Sequence, residues 1–96
     1  MPIQHDPERA ELAAVTAFVP SFDGRRVLEI GCGDGRLTGR LAAQARSVTA
    51  IDPDERAIAE CRDAVRDAHV TIRAVGLEDF VAPPHSYDIA VLSWSL

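Results

Sequence analysis

Seven consecutive residues, Glu29-Ile30-Gly31-Cys32-Gly33-Asp34-Gly35, hold the densest chemistry in the chain. Three glycines alternate directly after an apolar run and directly before a helical pattern. A residue without a Cβ can take positive φ and lets a ligand touch the backbone. The helix that follows opens with unpaired N–H groups and a positive end. Asp52 comes 21 residues after Gly31. That is about the spacing at which a carboxylate ending a second strand meets a ribose diol. Residues 27 to 52 therefore predict a cradle for the adenosine part of a nucleotide-like cofactor. The plainer readings are a glycine-rich connector and, for Asp52, a helix cap. Asp54 already suits that cap.

The details of the turn narrow the ligand. A nicotinamide site wants G-x-G-x-x-G, which would need glycine at position 36, where Arg36 stands. The third glycine comes one place early. Glu29 sits two residues before the first glycine, where a carboxylate repels a pyrophosphate and attracts an ammonium group. A nucleoside carrying an amino acid fits this charge better than a dinucleotide.

These residues need strands and helices to hold them. Asp6-Pro7-Glu8 opens a helix with a cap, a first-turn proline and an acid at the positive end. Ala10, Ala13, Ala14, Ala17 and Phe18 continue it at helical spacing, and Val19-Pro20 closes it. Ser21 to Gly24 reads as a turn. Val27 to Ile30 is a nearly continuous apolar run, as in a strand covered on both faces. Leu37, Leu41 and Ala45 mark a helix lying on a sheet. Ser47 to Asp52 is β-prone. Ala57, Ile58, Cys61, Val65 and Ala68 form the stripe of a third helix. Val70 to Ala74 alternates apolar and polar, as a half-exposed edge strand does. Val75 to Ser86 is a loop, and Tyr87 to Leu92 is the most apolar strand. Alternation of this kind implies an α/β fold with a parallel sheet and right-handed crossovers.

Composition sets the outer bounds. The chain has 96 residues, 47% of them hydrophobic and 26% charged, as in an ordinary globular domain. No apolar run approaches the ~18 residues of a bilayer span, and the N-terminus does not read as a signal peptide. Cys32 and Cys61 match neither a disulfide framework nor a zinc site, so no metal is expected and the default compartment is the cytoplasm. A formal charge of −5 argues against a nucleic-acid-binding face. Cys32, beside a helix start, is either a reactive thiol or a small residue that fits the turn. Cys61 reads as core, and His5, His69 and His85 read as solvated residues.

At this point the motifs match a family. Val27 to Thr38 resembles the first motif of class I S-adenosylmethionine-dependent methyltransferases. Ala50-Ile51-Asp52-Pro53-Asp54 resembles their second-strand motif, and Tyr87 to Ser93 their fourth strand. The match covers roughly residues 25 to 96, leaving 1 to 24 as an N-terminal helix and turn. The resemblance implies S-adenosylmethionine as cofactor and methyl transfer as reaction. It places Glu29 toward the methionine ammonium, directly or through water. Gly31, Gly33 and Gly35 would pack on the cofactor, with backbone groups of Gly31 and Cys32 at its amino-acid part. Asp52 would take the ribose hydroxyls, and Pro53 would lie near the adenine. Leu77, Glu78, Asp79 and Phe80 would cover the adenine, with either Glu78 or Asp79 as its acid. Ser93 and Trp94 would approach the sulfonium end. No catalytic base shows a signature.

The family sheet usually has seven strands, and this chain supplies a Rossmann-like sheet of four in the order 3-2-1-4. The outer edge of the fourth strand is then open to pairing. The chain is expected to be a fragment of a larger enzyme; a sheet completed by a partner chain and a non-catalytic cofactor binder are the alternatives. A nicotinamide-binding Rossmann domain is the further alternative. A small-molecule methyl acceptor is favoured, with no membrane involved.

Overall fold

The computed structural model describes residues 21–93. The expected N-terminal helix and Trp94 lie outside the described residues. Four strands, β1 (Arg26–Ile30), β2 (Ser47–Asp52), β3 (Val70–Ala74) and β4 (Ile89–Leu92), form one sheet. All three pairings are parallel and the order is β3-β2-β1-β4. Two helices, α1 (Arg36–Ala42) and α2 (Glu55–Ala64), make the crossovers, and a 3-10 turn spans Leu77–Asp79. The expected four-stranded Rossmann-like sheet is what forms.

Side chains alternate across a strand, so Val27, Glu29, Val48, Ala50 and Val91 share one face of the sheet. α1 lays Leu37, Leu41 and Ala42 on it, forming a core with Phe22, Val27, Ala45, Val48 and Val91. α2 adds Ile58 and Cys61 against Cys32 and Ala50. Phe22 falls in the expected turn, yet it is fully buried. A large aromatic gains more from burial than a turn position gains from exposure, and the Asp23 to Ala45 bridge holds it in place.

The helices are shorter than their stripes suggested. α1 ends at Ala42, and Ala45 stays buried because the chain folds back, its N–H donating to the Leu41 carbonyl at 2.8 Å. α2 ends at Ala64 because Val65 is extended, at φ −124° and ψ 107°. A β-branched residue leaves a helix readily. Val65 still packs inward, while Ala68 is exposed. β4 starts at Ile89 instead of Tyr87. The Tyr87 ring is drawn toward Phe80, with centroids 6.2 Å apart. Asp88 instead clamps β1: its carboxylate accepts from the Arg26 backbone N–H at 2.8 Å and from the Arg26 guanidinium at 3.1 and 3.2 Å. That clamp holds the Asp88 carboxyl down, to about 2.

Candidate cofactor site

A parallel sheet puts all strand ends of one kind on one side. The turn after β1, Asp52 ending β2, the Leu77–Asp79 turn after β3 and Ser93 after β4 therefore line the carboxyl edge. In open α/β sheets that edge is where ligands sit.

Gly31, Gly33 and Gly35 have φ of 81°, 56° and 92°, a region that favours glycine. Their surroundings differ. A Cβ on Gly33 would meet nothing within 4 Å, so the space over it is open. A Cβ on Gly35 would lie 2.8 Å from Cys61 Sγ and 3.3 Å from its Cα. Gly33 thus leaves room for a ligand, while Gly35 lets α2 approach the turn.

Five of the turn's N–H groups are already engaged. Those of Gly31 and Cys32 donate to the Ile51 carbonyl, at 2.8 and 3.1 Å, and that of Gly35 to the Cys32 carbonyl at 3.1 Å. Gly33 N–H donates to Asp52 Oδ2 at 3.0 Å, and Arg36 N–H to Asp34 Oδ1 at 3.2 Å. Asp34 therefore shapes the turn. A phosphate nest needs a row of outward amides, and these five are taken.

Asp52 is half-buried and does two jobs. Oδ2 anchors Gly33, and Oδ1 accepts from Asp54 N–H at 2.9 Å. A carboxylate offers about four lone-pair sites, so each oxygen keeps room for one more donor. Asp54, not Asp52, caps α2, accepting from Arg56 and Ala57 N–H. Pro53 is exposed beside it.

Glu29 is fully buried. Its Oε1 accepts from Thr38 Oγ1 at 2.5 Å and its Oε2 from Ser93 Oγ at 2.6 Å. Ser93 Oγ is also 3.2 Å from the Gly31 carbonyl oxygen. The carboxylate thus lies one hydroxyl away from the backbone of the first glycine. The Ser93 side chain is turned onto Glu29, and only 8% of the residue is exposed. Thr38 was not singled out by sequence reasoning. The available signal was a polar residue beside Leu37 and Leu41 on the buried face of a helix.

Cys32 is buried against Cys61. The neighbouring Cys61 thiol, together with burial and the nearby acids Glu29 and Asp52, pushes its thiol up. It stays protonated at neutral pH, so the reactive-thiol reading gives way to the turn-filling one. Cys61 is core. His69 is not merely solvated: its Nε2 lies 2.7 Å from the Ala42 carbonyl at the end of α1. After β3, Leu77, Glu78 and Asp79 are all exposed, and Glu78 folds back over Gly76. Among the described residues no group of three or more acids, histidines or cysteines is placed to hold a metal ion, and no helix is long and apolar enough to cross a membrane.

The chain is similar to known proteins over most of its length. The family described as "Methyltransferase domain" matches residues 27–96. A phosphoethanolamine N-methyltransferase of Triticum aestivum is 32% identical over 94 residues, covering 95% of this chain and 19% of that protein. Ribosomal RNA small subunit methyltransferase A of Salinibacter ruber is 38% identical over 78 residues, covering 81% of this chain and 26% of that protein. The solved structure of an S-adenosylmethionine dependent methyltransferase from Mesorhizobium loti superposes with a TM-score of 0.74 at 30% identity, covering 83% of this chain and 37% of that one. The chain thus spans between about a fifth and about a third of the length of these relatives. The parallel β3-β2-β1-β4 sheet, the glycine turn and the matched span agree: this chain belongs to the methyltransferase domain family.

Proposed function

We propose that the chain is the cofactor-binding part of an S-adenosylmethionine-dependent methyltransferase. The observation that carries this reading is the state of the turn between Gly31 and Arg36. Five of its amides donate to Ile51, Cys32, Asp34 and Asp52, so they form no outward row for a pyrophosphate. A buried carboxylate lies behind it. This combination suits a cationic amino-acid end and disfavours a dinucleotide.

The donor set fits the rest of that cofactor. The open space over Gly33 admits a ligand against the backbone. The spare lone pairs of Asp52 suit the two ribose hydroxyls. Pro53 and Leu77 offer apolar surface for the adenine, with Glu78 or Asp79 as acceptor for its amine. At the amino-acid end the Gly31 and Cys32 carbonyls, rather than their engaged N–H groups, would accept from an ammonium. When bound, the cofactor supplies an electrophilic methyl group on sulfur. This segment's part is to hold and orient it, since alignment contributes much of such a rate gain. The methyl acceptor is proposed to be a small molecule, on the acidic charge; the wheat relative's name cites phosphoethanolamine and the Salinibacter relative's cites RNA. The outer edge of β4 is proposed to receive a further strand, and Leu92, 46% exposed there, would be covered by it. A domain boundary near residue 25 and a cytoplasmic compartment belong to the same reading.

Calorimetric titration with S-adenosylhomocysteine and, separately, NAD tests the proposal. Binding of the first and not the second is expected; the reverse would overturn it. Asp52→Ala should lose roughly 2–4 kcal/mol of affinity, from unpairing two charge-assisted hydrogen bonds. Undiminished affinity would remove the ribose role.

A further inference from the structure

We infer that Thr38 and Ser93 are positioning residues that orient the buried Glu29 carboxylate toward the amino-acid end of the bound nucleoside. This rests on the cofactor reading above.

Three elements converge on one carboxylate. Glu29 comes from β1, Thr38 from the first turn of α1, and Ser93 from the residue after β4. Glu29 and Thr38 are fully buried and Ser93 nearly so. Each Glu29 oxygen accepts from one hydroxyl, at 2.5 and 2.6 Å. Thr38 Oγ1 has one proton, and Cys61 Sγ approaches its oxygen from the other side at 3.9 Å. That contact occupies a Thr38 lone pair and leaves its proton for Glu29. Ser93 likewise has one proton, with the carboxylate nearer than the Gly31 carbonyl. Hydrogen bonds to a charged acceptor are the stronger ones, so it goes to Glu29. The carboxylate is held from both sides, with Ser93 linking it to Gly31. Its negative charge is thus fixed behind the place where the ligand's ammonium would rest. Preset dipoles and charges act on a ligand without reorganisation at the moment of binding.

The test separates positioning from folding by using two ligands. S-adenosylhomocysteine carries the amino-acid end, and 5′-methylthioadenosine shares the adenosine and thioether but lacks it. In the full chain, Thr38→Val keeps the shape and removes the hydroxyl. It is expected to weaken S-adenosylhomocysteine about tenfold, the size of one lost charge-assisted hydrogen bond, while methylthioadenosine changes less than about twofold. Thr38→Ser should restore binding. Ser93→Ala, outside the helix, should repeat the selective loss and covers the case in which Thr38→Val does not fold. Equal losses for both ligands, or a loss for neither, would overturn the inference and leave the cofactor reading standing. A wild-type chain that binds neither ligand would overturn the cofactor reading, and the inference with it.

Discussion

Gly33 and Gly35 look alike in the sequence, and the fold gives them opposite tasks. Gly33 takes φ 56° beside open space, while Gly35 takes φ 92° with Cys61 pressed against it. Alanine at position 33 meets only the left-handed backbone penalty of about 1–2 kcal/mol, but its methyl enters the ligand's space. Gly33→Ala should therefore remain folded and lose S-adenosylhomocysteine affinity. Gly35→Ala adds a clash with Cys61 Sγ and Cα, so it should cost about 2–4 kcal/mol of stability by over-packing and strain. Urea denaturation of both variants checks the ranking. If Gly35→Ala proved the milder change, the packing role given to that glycine would fail. The ligand end of this contrast was legible, because glycines after a strand announce a backbone approach. The packing end was not: Cys61 lies 26 residues further on and meets Gly35 only once α2 has docked. The same limit hid the Thr38 and Ser93 hydroxyls from any reading of Glu29 alone, since Ser93 is 64 residues away.

At the scale of elements, local chemistry was readable where it was local. Asp54 was expected to cap α2 and accepts from Arg56 and Ala57 N–H at 2.9 and 3.2 Å. Asp54→Ala should cost about 1 kcal/mol, seen as a lower urea midpoint with an unchanged slope. The start of β4 was not readable, because the partner that takes Asp88 out of the strand is Arg26 on β1. This clamp gives stability a pH dependence of known sign. The Asp88 carboxyl is held down mainly by hydrogen bonds from the Arg26 side chain and backbone, from 3.8 to about 2. A carboxyl depressed in the folded state stabilises above its unfolded value and loses that contribution as pH falls through the folded one. Stability should thus fall between about pH 4 and about pH 2. In Asp88→Asn that part of the acid limb should be missing. An identical acid limb in the variant would show that β4 is not pinned to β1 in this way.

For the whole molecule, the alternation of helix and strand was enough to specify a parallel sheet with right-handed crossovers, while the order 3-2-1-4 was implied by the resemblance to the methyltransferase family and is the order that forms. What the pattern could not show was how thin the packing is. Phe22, placed by sequence in a turn, is a fully buried member of the main core cluster. Among the described residues β4 is paired on one side only, with β1, and Leu92 is half exposed. Folded domains are stable by only about 5–15 kcal/mol, so a bound ligand is a large fraction of the total. The carboxyl edge gathers the ends of all four strands, and a nucleoside seated there would tie β1 to β2 through the turn and Asp52. S-adenosylhomocysteine at a hundredfold excess over its dissociation constant should add about 2.7 kcal/mol. In a domain of this length that raises the unfolding midpoint by roughly 10–20 °C. The shift should be absent with NAD and strongly reduced in Asp52→Ala, and calorimetric scans with and without each ligand measure it. A shift of equal size in Asp52→Ala would mean that the ligand stabilises the molecule from somewhere other than the ends of β1 and β2.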